Sequence, residues 1–217
     1  MNSYFPKRKK NCRRLFPAFP ASFPPIVRDR FLYVSSALNN TVEIYNIINP
    51  TTPAHVGQFN TGDLSFPSGL AITNTTLYVA NQDKNMIEIY NISNPIFPLR
   101  VGEFNVGNLN IPAGLATTGN ILYVANAGDN TIEIYNISNP MDPIRIRGFT
   151  ERNLNTPAVL AITGTTLYVA NAFGNNVEIY DISNPIIPVH AGEFNEINLN
   201  FPNGLAVFTL FSWLVLV

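Results

Sequence analysis

Cysteine is nearly absent from this 217-residue chain, where Cys12 stands alone. One thiol excludes a disulfide framework and a thiolate metal site. Histidine is almost as scarce, at His55 and His190. No Ser/His/Asp set can be built from them, and no G-x-S-x-G elbow or glycine-rich phosphate loop follows a strand. Charged residues make up only 12% against 46% hydrophobic ones, which excludes a disordered composition. Long apolar runs are missing too. The C-terminal "LAVFTLFSWLVLV" has 13 residues, and a spanning helix needs about 20. No segment shows a helical period with caps.

What charge there is lies unevenly. Residues 1–30 hold eight of the thirteen Lys and Arg and a single acid, Asp29, so the rest carries five bases and thirteen acids. A basic, proline-rich leader, expected to be disordered, precedes an acidic body. The leader carries no nucleic-acid motif, and no nucleic-acid partner is expected. Its "LFPAFPASFPPIV" is broken by prolines and makes a poor signal-peptide core.

Asparagine, by contrast, is abundant, with 30 copies. It marks a repeat. "NTVEIYNIINP" (40–50), "NMIEIYNISNP" (85–95), "NTIEIYNISNP" (130–140) and "NNVEIYDISNP" (175–185) are near-copies. Tyr33, Tyr78, Tyr123 and Tyr168 are 45 residues apart, as are Pro67, Pro112, Pro157 and Pro202. An unbroken period of this length signals a repeat architecture.

Each period reads as four short strands. In the second copy these are "SGLAITN" (68–74), "TLYVAN" (76–81), "MIEIYNI" (86–92) and "LRVGEFN" (99–105). Period-two alternation and β-branched or aromatic content argue strand each time. "NQDKN" and "NAGDN" supply hairpin loops, and "SNPIFP" and "SNPMDP" supply turns, because Asn tolerates left-handed φ and Pro blocks strand continuation.

Four antiparallel strands per 45 residues is the blade of a β-propeller. "LYVANAGDNTIEIYNISNPMDP" resembles the LVIVD-type repeat, and "PAGLATTGNILYVAN" resembles YVTN and NHL repeats. The resemblance covers roughly residues 31–210. It implies an all-β, propeller-like array of about four four-stranded blades, and a bacterial surface or extracellular setting.

The expected blades lie near 31–60, 68–105, 113–150 and 158–195, with a partial one at 203–217. A lone sheet cannot bury both faces, so the copies should stack around an axis. The first strand of each repeat should lie innermost, where Gly69, Ala71, Gly114 and Ala116 leave room for close approach. The third repeat departs from the pattern, with Val159 where the others have Gly69, Gly114 and Gly204, and with Gly148 one place late, and local irregularity is expected there. The first blade has only "PPIV" (24–27) for an inner strand. Three readings stay open: part of a six- to eight-bladed propeller, a closed four-bladed ring, or an open arc that pairs with another chain. "TLFSWLVLV" would leave an apolar edge suited to self-association.

Chemistry is sparse. His55, Arg100, Arg145 and His190 share one repeat position on the outer strands. They are expected to lie over a neighbouring strand, on the ring of Tyr45 or its equivalents. Glu43, Glu88, Glu133 and Glu178 also recur and read as structural carboxylates, too far apart for paired-carboxylate catalysis. Asp83 and Asp129 sit in hairpin loops without the calcium-loop pattern.

The expected binding surface combines those loops with the links between blades. It places Asp63, Asn108, Asn153 and Asn198 near the channel mouth, with Asp83 and Asp129 beside them. Amide side chains both donate and accept, which suits sugars or peptide backbone. The expectation is a non-catalytic binding or scaffold module for protein or carbohydrate, with no cofactor and no metal. The alternatives are a lactonase-like propeller hydrolase, which the resemblance implies, and a fragment without an independent role.

Overall fold

The computed structural model describes residues 30–150, 154–195 and 198–207. The leader and the apolar run from 208 onward lie outside the described residues, as does Asn153. Fifteen strands are formed among them, with one 3-10 turn at Ala37–Asn39. The first sheet holds β1 (Phe31–Ser36), β2 (Thr41–Asn46) and β3 (Ala54–Phe59). The second holds β4 (Pro67–Thr73), β5 (Thr76–Asn81), β6 (Met86–Asn91) and β7 (Leu99–Phe104). The third holds β8 (Pro112–Thr118), β9 (Ile121–Asn126), β10 (Thr131–Asn136) and β11 (Ile144–Phe149). The fourth holds β12 (Pro157–Thr163), β13 (Thr166–Asn171), β14 (Asn176–Asp181) and β15 (Val189–Phe194). Each sheet is an antiparallel meander in chain order. The fold is all-β and propeller-like.

Two bulges recur. On the inner strands one extra residue follows Pro67, Pro112 and Pro157. On the outer strands one follows the residue paired with the tyrosine, as where Tyr90 faces Arg100 but Ile89 faces Gly102. A bulge sharpens the twist that lets neighbouring sheets splay around an axis. The third sheet keeps the same outer bulge, between Ile134 and Tyr135. At Gly148 the expected irregularity is therefore one of side chains, whereas at Val159 the ladder differs, since Val159 pairs with Ala170 and the equivalent Gly69 and Gly114 are skipped in theirs. Gly148 lies opposite Glu133, where a Cβ would run into the carboxylate.

The core lies between the sheets. Tyr78, Ile87, Ile89 and Phe104 of the second sheet pack on Leu122, Val124 and Tyr135 of the third. The same residues one period on make the next seam, and one period back the first. Each fully buried Leu or Ile side chain contributes roughly 1.5–3 kcal/mol. The inner strands approach too closely for side chains. A Cβ on Gly114 would lie 2.8 Å from the Ala158 carbonyl oxygen, and one on Gly69 would meet the Ala113 carbonyl.

A tyrosine hydroxyl spans every described seam. Tyr33 donates to the Pro95 carbonyl at 2.8 Å, Tyr78 to Pro140 at 3.2 Å and Tyr123 to Pro185 at 2.6 Å, each 62 residues ahead. Tyr123→Phe removes one such bond and should cost about 1 kcal/mol. In urea melts that is a lower midpoint with an unchanged slope.

Burial pushes the Tyr78 phenol up to about 12 and shifts Tyr33, Tyr90, Tyr123 and Tyr135 in the same direction. A raised phenol favours the neutral form in the folded chain. Its stabilisation is complete below the ordinary value near 10 and is lost as pH climbs from there through the folded value. Alkaline unfolding followed by circular dichroism should therefore begin above about pH 10 and not below it.

The inner strand expected near 203 is not formed. Residues 202–207 carry no strand ladder among the described residues. The first sheet correspondingly has three strands, with β1 at its edge.

Candidate binding face

The register of each sheet decides which loops meet. Pro67 pairs with Asn81, so the link entering β4 and the hairpin leaving β5 emerge at the same end. The same holds for Pro112 with Asn126 and Pro157 with Asn171. Two asparagines per repeat lock link to hairpin. The buried Asn81, Asn126 and Asn171 accept the backbone N–H of Ser65, Asn110 and Asn155 at 2.9, 2.6 and 3.4 Å. Asn40, Asn85, Asn130 and Asn175 end the hairpins in left-handed conformation. Their side chains accept the N–H of Phe66, Ile111, Thr156 and Phe201, 26 residues ahead, at 2.9, 2.8, 2.7 and 2.9 Å. Asn pays little for positive φ and brings its own acceptor. The sequence pattern showed these asparagines at turns but not that each one reaches into the following repeat.

Asp83 and Asp129 join this network. The Ser65 hydroxyl donates to Asp83 at 2.8 Å, and the Asn110 amide donates to Asp129 at 2.9 Å. Asp63 and Asn108 are exposed residues of the link turns, each at positive φ after a glycine that is also at positive φ. Asn198 is exposed at the corresponding place. Asp63 lines a polar cleft of about 490 Å³ with Asn39, Asn40, Asn60, Ser65 and Lys84. The cleft carries one carboxylate, one ammonium and several amides, a set that can bind hydroxyl or amide groups in several orientations.

A second hollow, of about 420 Å³, lies along the inner strands. Gly69, Gly114 and Val159 line it, with Ser68, Gln82 and Asn203 as its polar groups. Its described lining has no carboxylate and no imidazole.

The recurring cations and carboxylates form a separate set on the outer half of each sheet. Arg100 donates to Glu88 and Glu103, Arg145 to Glu133 at 2.7 Å, and His55 and His190 contact Glu43 and Glu178 at 2.8 and 2.6 Å. The histidine rings also lie against tyrosines, His55 5.2 Å from Tyr45 and His190 5.6 Å from Tyr180. The ring contacts match expectation; the cation–carboxylate pairing, 12 residues apart across the bulge, was missed. Glu88, Glu133 and Glu178 are buried. Burial pushes the Glu88 carboxyl up against the pull of Arg100 and Asn81, while that carboxylate holds the guanidinium above its ordinary range. Burial and the neighbouring Glu193 push Glu178 up. In the more open first sheet, the Thr41 hydroxyl and then His55 hold Glu43 down. One such pair per sheet, each engaged with itself, is a structural device.

Residues 113–149 and 159–196 match the LVIVD repeat. No curated protein matches the chain. Its solved structural neighbours are β-propeller proteins, similar in fold and distant in sequence. A functionally unknown protein from Desulfotomaculum acetoxidans is 19% identical with a TM-score of 0.59, over 71% of this chain and 49% of that one. The periplasmic gluconolactonase of Pseudomonas aeruginosa is 12% identical with a TM-score of 0.62, over 82% and 56%. A chain of a nidogen/laminin complex is 20% identical with a TM-score of 0.57, over 76% and 59%. The chain spans about half the length of the first solved structures it matches.

Proposed function

We propose that this propeller-like array is a binding module that takes a protein or carbohydrate ligand on its link-and-hairpin face. One observation carries the reading. Link turns and hairpin tips emerge together at one end of every sheet, locked by asparagines, and the polar cleft at Asp63 and Lys84 opens there. Loops positioned by a rigid scaffold are where recognition residues concentrate. Asp63, Asn108, Asn153 and Asn198 are the proposed contacts, with Asp83 and Asp129 shaping the hairpins beside them. A similar propeller in the nidogen/laminin complex agrees with a protein-binding role for this architecture. Gluconolactonase neighbours raise hydrolysis as an alternative. The inner-strand hollow gives it less support, since general acid–base chemistry needs a titratable group within reach of the substrate.

The test is a glycan array together with pull-down from a surface-protein extract, followed by variants. Asp63→Gly and Asn108→Gly keep the left-handed turns and remove the side chains. Binding should weaken about tenfold for each, the loss of roughly one charge-assisted or amide hydrogen bond. Binding that ignores both variants, or turnover of a lactone panel with none, would remove the proposal.

A further inference from the structure

The two ends of the array present complementary halves of the same seam. Within the chain, the leading face of one sheet is covered by the trailing face of the next. The first sheet's trailing face is open: Leu32 and Val34 are 45% and 40% exposed, where their counterparts Leu77 and Val79 are 0%. The fourth sheet's leading face is open as well: Phe194 is 39% exposed, against 6% for Phe104. The first sheet also lacks an inner strand among the described residues.

The matching inner strand exists at the other end. "FPNGLAV" (201–207) repeats "FPSGLAI" (66–72). Its link is already set as in the other copies, with Phe201 at positive φ and its N–H held by Asn175. Residues 203–207 are thus delivered as an inner strand with no sheet to join among the described residues. The chain spans 49% and 55% of two larger solved structures of similar fold.

We infer that the chain pairs head to tail with a second copy, residues 203–207 of each completing the first sheet of the other. Two four-sheet arcs then close one ring. The register follows from β4 on β5, which places Leu205 opposite Val34 and Ala206 opposite Tyr33. Repeat symmetry places the Tyr168 hydroxyl on the Pro50 carbonyl of the second copy, as Tyr123 is on Pro185. It places Gly204 against the second copy's Ser68 carbonyl, as Gly69 is against Ala113. Such a contact runs head to tail, and the ring closes when eight equal steps make one full turn; any other step gives an open polymer. Val159, standing in a glycine position next to 203–207, makes this seam looser than the internal ones.

Light scattering on the purified full chain should give the mass of two chains at tens of micromolar. Gly204→Val separates assembly from folding, because nothing lies within 4 Å of a Cβ there in one chain. It should give single chains with an unchanged strand spectrum, and Val159→Gly should shift the midpoint to lower concentration. In a Cys12→Ser background, mixing Val34→Cys with Leu205→Cys should yield a disulfide between chains. A single-chain mass for the parent, a Val34→Cys/Leu205→Cys double variant that cross-links only within itself, or open-ended polymers would each overturn the inference.

Discussion

Arg100→Ala should lower the stability of the chain by about 3 kcal/mol, at the low end for breaking a buried ion pair. The Glu88 side chain has no solvent exposure, and Arg100 is its only cationic partner among the described residues. Removing the guanidinium leaves the carboxylate with Asn81, whose amide donates at 3.2 Å. Glu103, directly opposite in the ladder, then repels it without the bridging charge. Adding Glu88→Gln to Arg100→Ala should recover more than half of the loss, because a neutral amide still accepts from Asn81. The deficit also has a pH signature. Without Arg100 the folded Glu88 carboxyl rises further above its unfolded value, so the variant is worst above that raised value and improves as pH falls through it. Urea melts of the single and double variants from about pH 4 to about pH 8 check this. A single variant within about 0.5 kcal/mol of the parent, the size of an exposed pair, would sink it. His55→Ala should be much milder, since Glu43 sits in the more open first sheet.

The second large effect is expected at the axis. Gly114→Val should cost about 3 kcal/mol or more, beyond ordinary overpacking. A side chain there meets backbone on three sides: the Ala158 carbonyl at 2.8 Å, Val159 Cα at 2.9 Å and the Leu160 nitrogen at 3.0 Å. No rotamer relieves contacts made by Cβ itself, so the third and fourth inner strands must separate. The comparison variant is Gly164→Ala, at φ +54 with nothing within 4 Å. It carries only the left-handed penalty of about 1 kcal/mol. Thermal melts of the two should differ by several degrees, and equal melting would show that the strands do not approach as closely as described.

These two sites mark what the sequence could and could not show. The glycine at the axis was legible, because a 45-residue period with a small residue at one strand position already implies crowding there. The strands themselves were legible from alternation. The cation–carboxylate pairs were not. His55 and Glu43 lie twelve residues apart on strands whose pairing slips by one at the bulge, and only the slipped register brings imidazole and carboxylate together. The reach of Asn40 to Phe66 was hidden for a related reason: it crosses from one sheet to the next, and a repeat pattern describes one copy at a time. The strand expected near 203 had the right residues but no sheet to pair with among the described residues, and strand propensity alone does not supply hydrogen-bond partners.

The hairpin-tip asparagine locks and the bridges from Tyr33, Tyr78 and Tyr123 share a direction. Asn40 holds Phe66, and Tyr33 holds Pro95; in both sets the side chain comes from the earlier copy and the backbone group from a later one. During synthesis the receptor in these bonds is made before the segment it captures. A nascent chain leaving the ribosome can settle unit by unit, each finished sheet serving as a template for the next stretch to emerge, with no need to wait for the C-terminus before the first contacts are secured.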